Sequence, residues 1–212
     1  MTEAKGPMDD PQGGPASERR GGSAGAPDGG SLAGRLLVAT ALIDEVTFRR
    51  SVVLMLEQNA DGAMGLVLNQ PLDVDVRAVL PAWQPHVTAP GRLFRGGPVG
   101  TDTALGVVAV PGDGPEPEGV RRLFASIGLV DLDTPPQAVM GGLAGLRIYA
   151  GYAGWAAGQL EQEIDEDAWL DAVCLATDVF TPDPDGLWSE VLDRQGGEYR
   201  LLARMPDDPS LN

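Results

Sequence analysis

The stretch SVVLMLEQNADGAMGLVLNQ, residues 51–70, determines the fold class of this chain. Two apolar runs, SVVLMLEQ (51–58) and AMGLVLNQ (63–70), are joined by NADG, whose Asp-Gly pair favours a hairpin turn. Strands with so short a connection are antiparallel. Because both runs are almost continuously apolar, we expect both faces of this part of the sheet to be covered, with helices on one side.

Similar apolar runs, separated by turn residues, continue on both sides of the hairpin. The segments predicted as strands are GRLLVAT, the pair LFRGGPV and TALGVVAV around GGPVGTD, SIGLVDLD, RIYAGYAG, AWLDAVCLA and the closing YRLLARMP. The segments predicted as helices are VDVRAVLPAW, GVRRL, PPQAVMGGLAG, the residues from about Ala156, and DPDGLWSEVLDRQGG with Leu187, Val191 and Leu192 inward. Seven or eight strands interleaved with four or five short helices, several joined by hairpins, indicate an α+β fold.

The first thirty residues differ in composition from the rest. They contain eight Gly, four Pro and no aromatic residue, so they cannot bury enough apolar surface to offset the entropy of ordering. The rest of the 212-residue chain is long enough for one buried core and too short for two ordinary domains. We therefore predict a disordered Gly/Pro-rich tail over residues 1–31 and one domain over residues 32–212.

Composition excludes several classes of chemistry. Lys5, in the predicted tail, is the only lysine, so the folded part has neither a Schiff-base amine nor the Lys of a phosphate-binding Walker A loop. One histidine, His86, and one cysteine, Cys174, cannot form a His/Cys zinc site within one chain. Only a carboxylate site for Mg²⁺ or Mn²⁺ stays open, and we predict no cofactor and no metal.

Charge and hydropathy set the expected location and partners. The net charge of −16 makes direct nucleic-acid binding unexpected, although the pairs Arg49/Arg50 and Arg121/Arg122 are candidate phosphate contacts. The sequence has no run of 18 apolar residues and no apolar signal segment near its start, so neither a membrane span nor a membrane partner is predicted. We predict a cytoplasmic protein whose oligomeric state the sequence leaves open.

Five segments, read in order, resemble the AlgH/YqgE family of bacterial proteins. They are FRRSVVLMLE, GAMGLVLNQP, GGPV, GYAGWAAGQLEQEI and the terminal DPSLN. The resemblance extends from about Gly34 to Asn212 and implies a single compact α+β domain with a mixed, mostly antiparallel sheet flanked by short helices. Members of this family are largely uncharacterised, and one branch is described as transcriptional regulators. This chain has Gln58 and Ala109-Val110 where relatives often have histidines, so chemistry that depends on those histidines is not available here.

GYAGWAAGQLEQEI, residues 151–164, has two interpretations. As a folding corner, Gly154 and Gly158 permit a tight passage from strand to helix and Trp155 supplies a large buried face. As a ligand-binding groove, Tyr152 and Trp155 lie beside Gln159 and Glu163, which stand at i and i+4 on one face of the helix.

Two residues outside this motif are further candidates for the groove. Asn69 ends an apolar strand before Pro71 and either caps that strand or extends into the same groove. Arg95 precedes GGPV, which is either a plain turn or a backbone nest that holds an anion. The acidic residues after the motif are either a solvated strand edge or a source of metal ligands: Asp165, Glu166, Asp167 and Asp171.

Three functions follow from these observations. The first is a regulatory protein that binds a small ligand or a protein partner at the groove, without catalysis. The second is a carboxylate-based enzyme that uses Glu161 or Glu163 as base and Arg95 as anion clamp. The third is a transcriptional regulator that contacts DNA directly.

Overall fold

Ten strands and five short α-helices make up the part of the chain that the computed structural model describes, residues 30–205. The strands are β1 (Arg35–Ala39), β2 (Val52–Asn59), β3 (Gly62–Val67), β4 (Pro71–Asp75), β5 (Arg92–Arg95), β6 (Val99–Ala109), β7 (Val120–Phe124), β8 (Ile127–Val130), β9 (Gly145–Ala156) and β10 (Trp169–Val173). The helices are α1 (Pro136–Val139), α2 (Gln159–Asp165), α3 (Ala176–Val179), α4 (Leu187–Gln195) and α5 (Tyr199–Leu202), with 3-10 turns at Val76–Ala78, Gln84–His86 and Met140–Gly142. The predicted α+β fold is confirmed. The predicted tail lies almost entirely outside the described residues.

The sheet is mixed and mostly antiparallel. Hydrogen-bonded neighbours follow the order β10-β1-β2-β3-β9-β6-β8-β7, and β4 and β5 attach beside β9. The predicted hairpin is formed by β2 and β3, which pair antiparallel from Val53 and Val67 to Asn59 and Gly62. The parallel pair is β5 with β9, which places Phe94 opposite Tyr149.

The sheet curls so that its two flanks approach each other. Gly34, which precedes β1, faces the ring of Phe124 at the end of β7, and a Cβ on this glycine would stand 3.0 Å from Phe124 Cγ. A central core fills the space enclosed by the curl and includes Leu54, Leu66 and Tyr149. Helix α4 packs on the same core through its predicted inward residues, all of which are buried: Leu187, Val191 and Leu192.

Two further apolar clusters lie on the opposite face of the sheet, because side chains alternate along each strand. One includes Leu146 and Ile148 of β9 and lies against Trp83. The other includes Val53 of β2, and it is covered by α2 through Leu160. The sheet is therefore buried on both faces over most of its centre, as the apolar runs predict. None of the helices within residues 30–205 is long and apolar enough to cross a membrane.

Some local predictions are wrong. VDVRAVLPAW is not an α-helix: its first two residues end β4, and Val76–Ala78 form a single 3-10 turn. GVRRL is not a helix but part of β7, where pairing with β8 satisfies its backbone. YRLLARMP is not a strand, since its first four residues form α5, which packs against α4. The segments LFRGGPV and TALGVVAV do not pair with each other: β5 pairs with β4 and β9, and β6 pairs with β8 and β9.

Candidate functional site

The motif GYAGWAAGQLEQEI contains a strand, a short turn and a helix. Strand β9 continues through Ala156, and α2 begins at Gln159. Gly158 makes the corner in a left-handed conformation, with φ 77°. Gly154 lies within the strand. The corner is therefore later in the chain than the sequence indicates, and Trp155 belongs to the sheet.

The side chain of Glu163 joins the two ends of this corner. Its Oε2 atom accepts hydrogen bonds from Nε1 of Trp155 at 2.9 Å and from Nε1 of Trp169 at 2.7 Å, and its Oε1 atom accepts one from Nε2 of Gln159 at 2.9 Å. Phe48 stacks on Trp155 with ring centroids 6.3 Å apart. We call Trp155, Trp169 and Glu163 the tryptophan corner. Because its carboxylate is engaged by three donors, Glu163 anchors the fold and is poorly placed to act as a base.

Strand geometry separates the predicted groove residues. Side chains alternate along β9, so Tyr152 points to one face of the sheet and Trp155 to the other. Tyr152 packs with Met64 against the central core, whereas Trp155 packs with Ala63 in the cluster under α2. Gln159 lies with Trp155 at the tryptophan corner. The sheet therefore stands between Tyr152 and the other predicted residues of the motif.

A groove opens on the face that carries Tyr152, at the end of the β2–β3 hairpin. Its cavity has a volume of about 420 Å³. We call it the hairpin groove and define it by six side chains: Glu57, Asn59, Asp61, Met64, Val99 and Tyr152. Trp155 also borders it, although its side chain points to the opposite face.

Small residues form the floor of the hairpin groove. Met64 of β3 pairs with Gly154 of β9, and in the next row on the same face Gly62 pairs with Ala156. A Cβ on Gly154 would meet only the Tyr152 ring at 3.6 Å and Val99 at 3.8 Å, which are ordinary contacts. Among residues 30–205 no helix covers this face of the two strands, so the ring of Tyr152 and the thioether of Met64 stay accessible.

The two carboxylates of the hairpin groove have no cationic partner among residues 30–205. Glu57 accepts one hydrogen bond, from Asn59 Nδ2 at 2.8 Å. Asn59 Oδ1 in turn accepts the backbone N–H of Asp61 at 2.8 Å, which fixes the hairpin turn. The ion pairs found in this part of the chain involve other carboxylates. The groove therefore combines negative charge with an aromatic ring.

Asn69 and Arg95 lie away from this groove. Asn69 Oδ1 accepts the backbone N–H of Val52 at 2.9 Å, and its Nδ2 donates to the carbonyl of Arg50 at 2.9 Å. Arg95 borders a separate depression of about 270 Å³ with Thr47. Asn69 therefore holds the start of β2, and Arg95 serves a different surface.

The backbone of GGPV takes part in strand contacts. The N–H of Gly96 donates to the carbonyl of Ala150 at 2.9 Å, and the Gly96 carbonyl accepts from Val67 at 2.9 Å. A Cβ on Gly97 would collide with the backbone of Tyr152. Close approach of this segment to β9 explains the glycines, which favours the structural interpretation of GGPV over an anion nest.

One arginine of each sequence pair has partners in the fold, whereas Arg49 and Arg121 are exposed. The guanidinium of Arg122 donates to the carbonyls of Val110, Ala125 and Gly112 at 2.9–3.0 Å. Arg50 lies 4.5 Å from the ring centroid of Trp188. Among residues 30–205, no group of three or more His, Cys, Asp or Glu side chains is arranged to hold a metal ion.

Sequence reasoning overlooked a buried arginine. Arg147 is 1% exposed, donates to the carbonyls of Ala89 at 2.9 Å and Val179 at 3.1 Å, and lies 4.3 Å from the ring centroid of Phe94. Burial lowers its pKa. Burial also raises the pKa of the neighbouring Tyr149 to about 12, and the positive charge of Arg147 partly opposes that shift. The alternation of β9 indicated that this face is interior, but not that a cation occupies it.

The residues of the hairpin groove other than Tyr152 were also overlooked. Glu57 and Asp61 flank the turn of a hairpin that sequence analysis explained by folding alone. The available signal was the break in the apolar run of β2 at Glu57, which marks the point where that strand leaves the core.

Comparison with known proteins identifies relatives over nearly the whole described chain. A family model described as AlgH-like matches residues 36–200. The chain is 50% identical over 186 residues to a UPF0301 protein of Streptomyces avermitilis, covering 86% of this chain and 96% of the relative. It is 44% identical over 183 residues to a UPF0301 protein of Mycobacterium tuberculosis, covering 85% and 90%.

Solved structures show the same fold. A crystal structure of a Corynebacterium diphtheriae protein superposes with a TM-score of 0.77 at 32% identity, covering 83% of this chain and 93% of the other. The solution structure of the AlgH protein from Pseudomonas aeruginosa superposes with a TM-score of 0.64 at 27% identity, covering 87% and 99%. The names of these relatives specify neither a reaction nor a ligand.

Proposed function

The chain belongs to the AlgH-like family, and we propose that it is a regulatory binding protein whose hairpin groove takes a cationic group of a small ligand or of a protein partner. The observation that carries this proposal is the uncovered face of β3 and β9. There a half-buried tyrosine ring lies beside two carboxylates that no described cation neutralises. The opposite face of the same strands is closed by α2.

The chemistry of the groove favours a guanidinium or an ammonium group. A cation over the ring of Tyr152 gains about 0.5–1 kcal/mol at an exposed site, and each exposed ion pair adds about 0.2–1 kcal/mol. The glycine floor lets an extended chain or a flat group approach the backbone of β9. Together these contacts amount to about 1–3 kcal/mol, so we expect a dissociation constant of about 10 mM or weaker for an isolated cationic group, with higher affinity for ligands that make several contacts.

The alternative functions find less support in the geometry. An enzyme based on Glu163 requires a carboxylate that the two tryptophans already engage, and Arg95 lies at another depression. Glu161 accepts a hydrogen bond from Gln58 at 2.7 Å on the face opposite the hairpin groove. The net charge of −16 disfavours direct DNA contact, and each of the two arginine pairs has only one exposed member, Arg49 or Arg121. A cytoplasmic location stays a prediction.

An NMR titration of the full chain tests the proposal. N-acetyl-arginine amide is expected to shift the backbone amides of Gly62, Met64 and Gly154, whereas the neutral N-acetyl-glutamine amide is expected to leave them in place. Gly154→Leu fills the floor of the groove and should abolish the response. Glu57→Gln combined with Asp61→Asn should weaken it at least severalfold.

The matched control is Asp165→Asn, which removes an exposed carboxylate from α2 and should leave the response unchanged. Equal responses to the charged and the neutral compounds would contradict the proposal. So would a response that moves amides only outside the groove.

A further inference from the structure

A second depression, which contains Arg95, lies on the face of the sheet opposite the hairpin groove. Phe94 and Tyr149 pair in the central core, so the residues that follow them, Arg95 and Ala150, point to the other face. Tyr152 of the hairpin groove packs on the core side. The depression has a volume of about 270 Å³. We call it the arginine depression and define it by its lining residues: Thr47, Leu72, Arg95, Gly97, Pro98, Thr101 and Ala150.

Backbone hydrogen bonds fix the walls of the arginine depression. The N–H of Arg95 donates to the carbonyl of Gln70 at 2.8 Å, and the N–H of Gly96 donates to the carbonyl of Ala150 at 2.9 Å. The side chain of Gln70 donates through Nε2 to the carbonyl of Thr47 at 2.7 Å. Gln70 therefore holds two opposite parts of the wall, and a ligand binds there without having to order the backbone first.

Three side chains of the arginine depression carry donors that the described part of the chain leaves unused. The guanidinium of Arg95 makes neither a hydrogen bond nor an ion pair with residues 30–205. The hydroxyl groups of Thr47 and Thr101 also form no hydrogen bond with these residues. By contrast, Arg122 and Arg147 donate to backbone carbonyls. The depression therefore offers one cation and two hydroxyl donors to a ligand.

These donors suit a carboxylate group. The planar guanidinium fork matches the two oxygen atoms of a carboxylate. Among residues 30–205, no Asp or Glu lines the depression, so a bound anion does not compete with a carboxylate of the wall. One arginine balances one negative charge, whereas a phosphate dianion would keep an uncompensated charge on a chain with a net charge of −16.

The walls and the volume of the arginine depression define the rest of the ligand. Leu72, Pro98 and Ala150 are apolar and can contact aliphatic carbon atoms. Pockets for drug-sized ligands have volumes of about 300–1,000 Å³, and the volume of this depression lies just below that range. The ligand is therefore a small molecule with a short aliphatic chain.

We propose that the arginine depression binds a small aliphatic monocarboxylate, with Arg95 on the carboxylate oxygens and the hydroxyls of Thr47 and Thr101 as further donors. This site is independent of the hairpin groove, because it lies on the other face of the sheet and takes a ligand of opposite charge. The chain then carries two binding sites of different chemistry.

An NMR titration at constant ionic strength tests the inference. Sodium butyrate replaces sodium chloride in samples of the full chain at neutral pH, and the amides of Gly97, Thr101 and Ala150 are followed. We expect saturable shifts of these amides with butyrate and none with butyramide, its neutral analogue. Inorganic phosphate should bind about threefold more weakly than butyrate, or weaker still. Arg95→Gln should weaken butyrate binding about fivefold or more, and Thr47→Val/Thr101→Val about twofold or more.

The matched control is Arg121→Gln, which removes the same charge from another exposed strand residue. Its affinity for butyrate should stay within a factor of about 1.5 of the wild-type value. Because Arg95 is exposed, Arg95→Gln should fold, and unchanged amide positions in the rest of the chain verify this.

Three results would overturn the inference. The first is wild-type affinity for butyrate in Arg95→Gln. The second is an equal loss of affinity in Arg121→Gln, because net charge alone would then explain the effect. The third is a response to butyramide equal to that with butyrate, or tighter binding of phosphate than of butyrate. None of these results bears on the hairpin groove, whose test uses a cationic probe and other amides.

Discussion

Trp155 and Trp169 donate their indole N–H groups to the same oxygen atom, Oε2 of Glu163, although one residue lies in β9 and the other in β10. Both rings are buried, at 7% and 4% exposure, and they meet edge to face with centroids 5.9 Å apart. The carboxylate therefore ties the strand that enters α2 to the strand that leaves it. This contact explains Trp155 and Glu163 of the motif.

Removal of the shared acceptor should destabilise the protein. In Glu163→Ala two buried indole donors lose their partner, and each unsatisfied donor costs about 1–3 kcal/mol. We expect the free energy of unfolding to fall by about 2–5 kcal/mol, measured by urea denaturation with tryptophan fluorescence. Glu163→Gln keeps an acceptor oxygen and should lose less than half as much.

Asp165→Ala is the control for this substitution, since its side chain is exposed on the same helix and should change stability by no more than about 0.5 kcal/mol. If Glu163→Ala matched the control, the shared acceptor would have no structural role.

Close packing of GGPV against β9 predicts a large effect for Gly97→Ala. The added Cβ would collide with the backbone of Tyr152. Strand β9 cannot move away without losing hydrogen bonds to its neighbouring strands. We expect a loss of about 3 kcal/mol or more. Gly158→Ala provides the comparison: its φ of 77° strains an alanine by about 1–2 kcal/mol, but no atom lies within 4 Å of the new Cβ. A smaller loss for Gly97→Ala than for Gly158→Ala in thermal unfolding would contradict the packing argument.

The β2–β3 hairpin and helix α4 were predictable from sequence because local signals agree with the final fold. Asn59-Ala60-Asp61-Gly62 is a turn in the sequence and in the structure, and the apolar positions of α4 face the core. The parallel contact of β5 with β9 was not predictable, since more than fifty residues separate Phe94 from Tyr149. Pairing between such distant segments leaves no local signal.

The error in the predicted groove has a simple geometric cause. Tyr152 and Trp155 are three residues apart, so they would share a face on a helix, whereas an odd separation in a strand places them on opposite faces. The sequence predicts a helix from about Ala156, but β9 continues through that residue and two turn residues precede α2. The helix therefore begins three residues later than predicted. As a result, Tyr152 lies on one face of the sheet, and Gln159 and Glu163 lie on the other.

The thiol of Cys174 should react slowly in the folded protein. Burial and the nearby carboxylate of Asp178 raise the pKa of this thiol from 9.0 to about 12. The change lowers the thiolate fraction at pH 8 about a thousandfold. A more basic thiolate is a better nucleophile, which offsets part of this loss. The labelling reaction should therefore be slowed by about thirty- to sixtyfold. The ratio of the iodoacetamide labelling rates of the native and the urea-unfolded protein at pH 8 measures this slowing. Labelling of the native thiol at the unfolded rate would show that the site is open to solvent and titrates normally.

The buried hydroxyl of Tyr149 predicts a loss of stability in alkali. In the folded state its pKa is raised by burial from 10.0 to about 12, and its hydroxyl lies near the guanidinium of Arg147 without forming a well-aligned hydrogen bond. Between pH 10 and pH 12 the unfolded chain releases this proton and the folded chain keeps it, so stability falls as pH rises through that window. Below pH 10 both states hold the proton and the effect is absent. A pKa difference of two units between the folded and unfolded states corresponds to about 2–3 kcal/mol in the free energy of unfolding.

Tyr149→Phe removes this titration. Because the lost hydroxyl makes no well-aligned hydrogen bond, we expect the free energy of unfolding of the variant to match that of the wild type within about 1 kcal/mol at pH 7. Near pH 12 its free energy of unfolding, measured by urea denaturation, should exceed that of the wild type by about 2–3 kcal/mol. Both proteins carry Cys174→Ala, because the raised pKa of the thiol would add a second slope in the same window. Tyr199→Phe, on α5, controls for the loss of a phenol. Parallel stability curves for Tyr149→Phe and its parent across pH 9–12 would mean that the hydroxyl is hydrated and that the interior beside Arg147 is not dry.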